Sequence, residues 1–327
     1  MLEYISRRIF YMIPTVIAVS LVSFAIIQLP PGDYLTTVLA QLSAQGDLVE
    51  ADVIAALGAR YGLGQPLYVQ YYKWISGIVL RGDFGFSFEW DLPVKALLWE
   101  RLSLTLMLSL STLLFTWVVA FPIGIYSAVR QYSIGDYIAT TIGFIGLAIP
   151  NFLLALVLMY FSFKYLNQSV GGLFSQQYID APWNWAKFVD LMSHLWIPVV
   201  ILGTGGTAGL IRIMRANLLD ELRKPYVKTA RAKGLSETAL LLKYPVRIAL
   251  NPFVSTIGWT LPALFSGSAI VSVVLSLPTT GPLLLRALIA QDMYLAGSFI
   301  LMLGVMTIIG TLISDILLAW LDPRIRY

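Results

Sequence analysis

Residues Tyr226–Pro252 read YVKTARAKGLSETALLLKYPVRIALNP, the most basic stretch of a chain that is otherwise poor in charge. Pro225 just before it suits the first turn of a helix, where its missing N–H costs nothing. YVKTARAK is strong helix-forming sequence. Gly234 then fits the position just past a helix end, where a left-handed residue stops the helix. Ser236 is placed to cap a second helix, with Glu237 in its first turn. The second helix is expected to continue until Pro252. Two short helices joined at Gly234–Leu235 would lie along one face of the membrane. One reading is an amphipathic segment whose Lys and Arg meet anionic headgroups. The other is a docking handle for a protein. Ala230 and Ala232 favour the handle, because small side chains admit a neighbouring backbone and a lipid anchor would carry Leu, Phe or Trp there.

The stretch is set among apolar runs. The chain has 327 residues, 58% hydrophobic and 12% charged. A soluble domain carries roughly 25% charged residues, so this composition belongs in lipid. Six segments are long enough to span: Ile9–Leu29, Ser103–Ala128, Tyr137–Phe163, His194–Ile213, Phe253–Leu277 and Leu295–Leu321. Each approaches or exceeds the roughly 20 residues a helix needs to cross the hydrocarbon. The first is too long for the apolar core of a signal peptide and is followed by Pro30–Pro31–Gly32, not by a small-residue cleavage site. With the N-terminus inside, fourteen of the 22 Lys and Arg fall on the cytoplasmic side. Nine of them lie between Arg212 and Arg247, in and just before the loop over 214–252. The positive-inside bias therefore places both termini in the cytoplasm.

Two loops are large. The outer loop Pro30–Glu100 carries the turn signals PPGD, YGLGQP and RGDFGFS. LVEADVIAALGARYGLG over 48–64 and PLYVQYYKWISGIVL over 66–80 read as helices within it. An ordered, aromatic-rich loop of this length suggests a docking surface. The inner loop is the opening stretch.

There is no cysteine and one histidine. Thiolate nucleophiles, disulfides and Cys- or His-cluster metal sites are thus excluded. GTGGTAG at 203–209 lacks the Lys and Ser/Thr of a phosphate-binding loop, and its glycines are expected to serve close helix packing within a span. No paired acids or serine–base pair suggest catalysis. His194 beside Trp196 reads as an interface anchor, and Trp183, Trp185 and Trp196 as an aromatic belt. Pro122, Pro150, Pro198 and Pro262 are expected to kink spans. Asp136 lies near an inner span end. Asp315, within the last span, is either a functional intramembrane charge or a contact to Arg324 or Arg326.

YVKTARAKGLS resembles the cytoplasmic "EAA" loop of binding-protein-dependent ABC-transporter permeases. More narrowly it is similar to the oligopeptide/dipeptide/nickel permease family, first or "B"-type subunit, whose loop reads close to D-Y-V-R-T-A-R-A-K-G-L. The matching positions are Tyr226, Val227, Thr229, Ala230, Arg231, Ala232, Lys233, Gly234 and Leu235, with Arg212 and Arg215 upstream. RRIFYMIPTV at the start, PGD at 31–33, LGQPLYVQYYKW at 63–74, GDFGFS at 82–87, SLTLMLS at 103–109 and DPRIRY at the end extend the likeness along the chain. The resemblance implies an all-α membrane protein of six transmembrane helices, a single permease domain over 1–327 with a cytoplasmic coupling helix over the loop 214–252. It implies that Tyr226–Leu235 docks into a cytoplasmic ATPase. It implies a second related permease, two ABC ATPase subunits and an extracytoplasmic solute-binding protein as partners in the cytoplasmic membrane. The chain would bind no cofactor and no nucleic acid; ATP and Mg would sit on the partner ATPases. Ala230, Ala232, Arg231 and Lys233 are then expected to face the ATPase, and Lys228 to face solvent.

The sequence departs from the family pattern in places. Pro225 replaces the usual Asp. Tyr244–Pro245 in YPVRIAL introduces a kink point. At the end of the fifth span SVVLSLPTTG has Ser272 where the family has Glu, and only Pro278 and Gly281 keep their places. Losing that carboxylate changes the charge of an outer mouth, so the cargo stays open between oligopeptide and oligosaccharide, with nickel and opine-type solutes as alternatives. An ion-coupled secondary transporter is the competing class, but it wants intramembrane ionisable groups, and these six spans hold almost none.

Overall fold

The computed structural model describes residues 2–28, 65–87, 89–166, 171–179, 181–254 and 269–321. The described chain divides into two compact units. The first holds Thr105–Pro278 with the two chain ends, and the second Arg7–Leu104 with Thr279–Ile308.

In chain order the helices are α1 (Leu2–Ile27), α2 (Leu67–Ser76), α3 (Val94–Val129), α4 (Ile134–Ala148), α5 (Asn151–Phe161) and α6 (Trp185–Leu222). They continue with α7 (Pro225–Ala232), α8 (Glu237–Lys243), α9 (Pro245–Ala249), α10 (Ala269–Val274), α11 (Thr280–Ile289) and α12 (Met293–Leu321). Two short strands, β1 (Phe86–Ser87) and β2 (Leu92–Pro93), pair antiparallel just before α3.

Among the described residues four single helices are long and apolar enough to cross a membrane: Ile5–Ile27, Val94–Val129, Trp185–Leu222 and Met293–Trp320. The span expected over Tyr137–Phe163 is broken instead, with α4 and the helix after it bent by 100°. Pro150 is the cause. It has no N–H to give, and it forces Ile149 into an extended conformation (φ −80°, ψ 121°). Pro122 and Pro198 sit within unbroken α3 and α6. The expected fifth span, Phe253–Leu277, lies mostly outside the described residues, as do Pro262 and the helix expected over 48–64. The second expected outer helix is α2, prolonged by a π-helical turn over Gly77–Arg81. α3 begins at Val94, within the outer loop expected over Pro30–Glu100.

The second unit has two apolar clusters. Phe24, Ile27, Trp74, Tyr294 and Leu301 form one; Phe84, Val94, Leu97, Leu98, Leu283, Ala287, Leu295, Ala296 and Phe299 form the other. Asp292, buried ahead of α12, accepts from Ser87 Oγ at 2.5 Å and from the Leu295 N–H at 3.2 Å. Burial pushes its carboxyl above the ordinary range, against these bonds.

In the first unit α6 is the axis, and small residues let its neighbours close on it. A Cβ at Gly203 would lie 2.5 Å from Phe115 of α3, and one at Gly146 of α4 would lie 2.6 Å from Thr204. Such contacts need glycine, and in lipid they replace the hydrophobic drive that water supplies elsewhere. The glycines of 203–209 are therefore not equivalent: Gly203 is a packing point, whereas a Cβ at Gly209 meets nothing within 4 Å.

Candidate functional site

The basic insert folds as three helices, not two. Pro245 ends α8, and Tyr244 between α8 and α9 turns the chain with φ −120° and ψ −77°. The kink expected at Tyr244–Pro245 is a full break in the helix expected from Glu237 to Pro252, because Pro245 has no N–H to continue it.

The first helix, α7, starts as its sequence predicts, with Pro225 at its N-terminus after an extended Lys224. It ends in a Schellman motif. Gly234 has φ +79°. Its N–H reaches the Arg231 carbonyl at 3.0 Å, and the Leu235 N–H reaches the Ala230 carbonyl at 3.4 Å. Leu235 then folds back on a small core of Val227, Ala230 and Leu240, helped by Tyr226. Space does not require the glycine, since a Cβ there meets nothing within 4 Å; the positive φ does. Ser236 takes the N-cap conformation for α8 but its side chain makes no capping bond.

Ala230, expected to face the ATPase, is buried inside the insert, against Val227 and Leu240. Arg231 is committed to Glu237 by two hydrogen bonds, from Nε to Oε1 at 2.5 Å and from Nη2 to Oε2 at 2.9 Å. That bond holds the Glu237 carboxyl below its usual range and raises the guanidinium. The outward face of α7 is Lys228, Thr229, Ala232 and Lys233, all exposed. Lys228 and Ala232 stand four residues apart and share one face of a helix, so Lys228 is not on a face of its own. Sequence periodicity alone left this ambiguous, because an eight-residue helix gives only two turns to read.

The insert is anchored to the span before it. Glu221, buried at the end of α6, accepts from Tyr226 Oη at 2.6 Å and from Lys224 Nζ at 2.5 Å. Burial and then the Glu221 carboxylate push the Tyr226 phenol well above its usual range. Further along, Val246 and Ala249 of α9 pack with Ala128 of α3 and with Met214 and Leu218 of α6, and Phe253 joins them. Phe121 stands edge-on to Phe253 at 5.0 Å between ring centres. The insert is thus a packed lever on two spans. Glu221 was missed in the sequence because a lone acid at a helix end carries no motif.

The outer-mouth candidates fall in separate places. Ser272 is buried in α10, with no hydrogen-bond partner for its Oγ among the described residues. Pro278 follows, half-buried, and Gly281 lies in the first turn of α11, in the second unit. His194 sits in α6, half-buried, with Nδ1 2.8 Å from the Asp190 carbonyl and 3.1 Å from Ser193 Oγ. Asp315 is half-buried in α12 and has a partner; Arg324 and Arg326 lie outside the described residues. Among the described residues no cluster of three His, Asp or Glu is arranged to hold a metal ion.

The chain matches two families along its length. Residues 120–327 match the family described as binding-protein-dependent transport system inner membrane component, and residues 1–109 its N-terminal counterpart. It is 36% identical over 329 residues to the oligopeptide transport system permease protein AppB of Bacillus subtilis, covering all of both chains. It is 30% identical over 343 residues to the dipeptide transport system permease protein DppB of Escherichia coli K12, covering all of this chain and 99% of that one. It is 32% identical over 327 residues to the glutathione transport system permease protein GsiC of Salmonella paratyphi A, again over both whole chains. Among solved structures, the MetNI methionine ABC transporter in inward-facing form shares the fold, with a TM-score of 0.53 at 18% identity over 69% of this chain and 96% of that one. The packed basic insert, the apolar spans and these whole-length likenesses agree, and the chain belongs to the binding-protein-dependent transport system inner membrane components.

Proposed function

We propose that the chain is the membrane-spanning subunit of an ATP-driven importer for peptides, delivered by an extracytoplasmic binding protein, and that α7 is the helix through which partner ATPases drive it. The observation that carries the coupling role is the lever itself. One side of the insert is packed on α3 and α6, while its other side offers Lys228, Thr229, Ala232 and Lys233 outward. A surface so exposed and so firmly connected to spans transmits displacement; a lipid-lying helix would turn Val227 and Leu240 to the bilayer instead of burying them. Exposed lysines there orient an acidic partner and speed its arrival more than they tighten it. The peptide cargo rests on the relatives' names and on whole-chain coverage. A second permease completes the path, because one chain with so few polar groups in its spans cannot enclose a wet channel. Both chain ends lie on the ATPase side in this reading.

The test is peptide uptake by the reconstituted transporter. Ala232→Trp sits on the free face and Gly234→Val at the positive-φ stop, where a Cβ costs about 1–2 kcal/mol. Both are expected to insert normally, and both to abolish uptake while ATP hydrolysis persists or the ATPases dissociate. Gly234→Asn, which tolerates the left-handed conformation, restores most of the uptake. Wild-type uptake by Ala232→Trp with the ATPases bound would refute the coupling role. For the cargo, the cognate binding protein is screened against di- to oligopeptides and oligosaccharides; sugar binding alone would overturn the peptide reading.

A further inference from the structure

A cavity of about 230 Å³ opens between α4 and α6, at the end of α6 that leads into the insert. Its two ends differ in chemistry. Gly143, Phe144, Ala208 and Ile211 form an apolar wall, and Arg212, Arg215 and Asp136 form a charged floor. Asp136 is fully committed: it accepts from the Tyr132 N–H at 2.9 Å and from Arg215 Nη2 at 3.2 Å. Arg215 is only half used, since its buried Nε has no hydrogen-bond partner among the described residues. Arg212 forms no ion pair among the described residues; its guanidinium lies over the Phe144 ring at 5.4 Å. Two guanidiniums against one carboxylate leave a net positive charge, beside an unsatisfied donor, under an apolar wall.

The depth of this cavity in the membrane follows from helix geometry. Arg212 is 27 residues along α6 from the exposed Trp185. At 1.5 Å per residue that is roughly 40 Å, the thickness of a bilayer with its headgroups. Trp185 at one interface therefore puts Arg212 at the other, and exposed Tyr132 and Tyr137 at the cavity mouth suit the same level.

We infer that this cavity is a binding site for an anionic phospholipid of the leaflet on the insert side, its phosphodiester on Arg212 and Arg215 and one acyl chain along Gly143, Ala208 and Ile211. The geometry favours a lipid over a soluble anion because most of the wall is apolar. It favours an anionic over a zwitterionic headgroup because one phosphodiester charge neutralises the excess guanidinium, whereas a choline brings its own cation against it. The site does not depend on the cargo or on the coupling role of α7.

The whole transporter, purified with its partner permease and ATPases in mild detergent, is examined by native mass spectrometry with dioleoylphosphatidylglycerol, dioleoylphosphatidylcholine or inorganic phosphate. Phosphatidylglycerol is expected to be retained by the wild type and by Arg130→Gln, which removes the same charge from an exposed position outside the cavity. Arg212→Gln is expected to weaken retention about tenfold, the loss of one charge-assisted contact. Arg212 holds up no other charged group, so this variant keeps its ATPase activity in detergent as the check on folding. Equal retention of phosphatidylcholine, unchanged retention in Arg212→Gln, or displacement of the lipid by inorganic phosphate would each overturn the site. So would a cross-link to the second permease from a photoreactive benzophenone placed at Tyr137, which would mean that protein covers the cavity.

Discussion

The two ends of α6 use charge in opposite ways. At the Trp185 end the ionic groups are turned inward. Lys187 is buried, donates to the Ile179 carbonyl at 3.1 Å and the Ala181 carbonyl at 2.6 Å, and lies over the rings of Phe174 and Trp183 at 4.9 and 5.4 Å. Asp190 takes the Ser175 N–H at 2.8 Å and its hydroxyl at 2.5 Å. These bonds pin the segment 171–179 onto the helix. At the Leu222 end the only buried charge of α6 among the described residues is Glu221, which locks α7 in place, and the described cations beyond it stand in the open. A charge whose valences are satisfied inside the subunit supports the fold. A charge left exposed on a rigid mount is available to something else.

That contrast can be broken at either end, and the expected effects decrease in order. Lys187→Met removes a charged donor from two buried carbonyls and the cation from over two rings. It is expected to cost about 2–4 kcal/mol, since buried acceptors lose partners that water cannot replace. The measurement is thermal unfolding of the detergent-solubilised subunit, where a clear fall in melting temperature is expected. An unchanged melting temperature would erase the difference drawn between the two ends.

Tyr226→Phe deletes one hydrogen bond to Glu221 while Lys224 keeps the other. It is expected to cost about 1 kcal/mol. Its sharper readout is the ratio of peptide transported to ATP hydrolysed, which should fall while ATPase binding is unaltered. A fall in ATPase binding instead would make Tyr226 part of the docking face, not of the mount.

Glu237→Gln is expected to have the smallest effect, because its pair with Arg231 is fully open to water and salt. The sign of its pH dependence is fixed. Arg231 lowers the Glu237 carboxyl in the folded protein, so the pair contributes above the ordinary Glu range and is lost as pH falls through the depressed value. The wild type should therefore lose a little more stability than Glu237→Gln on going from neutral to acidic pH, and the difference should shrink in high salt. An equal acid response in both would mean the pair contributes nothing to the insert.

Much of this was legible in the residues. Apolar length announced six spans, and four of them appear as single long helices among the described residues, because lipid demands continuous backbone hydrogen bonding and the chain must supply it locally. Pro225 and Gly234 marked the ends of α7, because each imposes its backbone angle on any surroundings. The order of motifs along the chain pointed to the permease family before any contact was known. Pro150 was legible as a kink, but not as a turn of 100°.

What the sequence could not assign was which side of each short element is covered. Ala230 and Ala232 are the same residue two positions apart, and only the arrival of Leu240 from the next helix buries one and leaves the other free. Arg231 read as a cation for the ATPase, and only α8 brings Glu237 to it. Glu221, Lys187 and the cavity over Arg212 were invisible for the same reason. Local chemistry sets where helices begin and end, since capping and proline effects act within a few residues. Which groups become satisfied, buried or left over depends on partners tens of residues away in the chain, and only the packed tertiary structure brings those together.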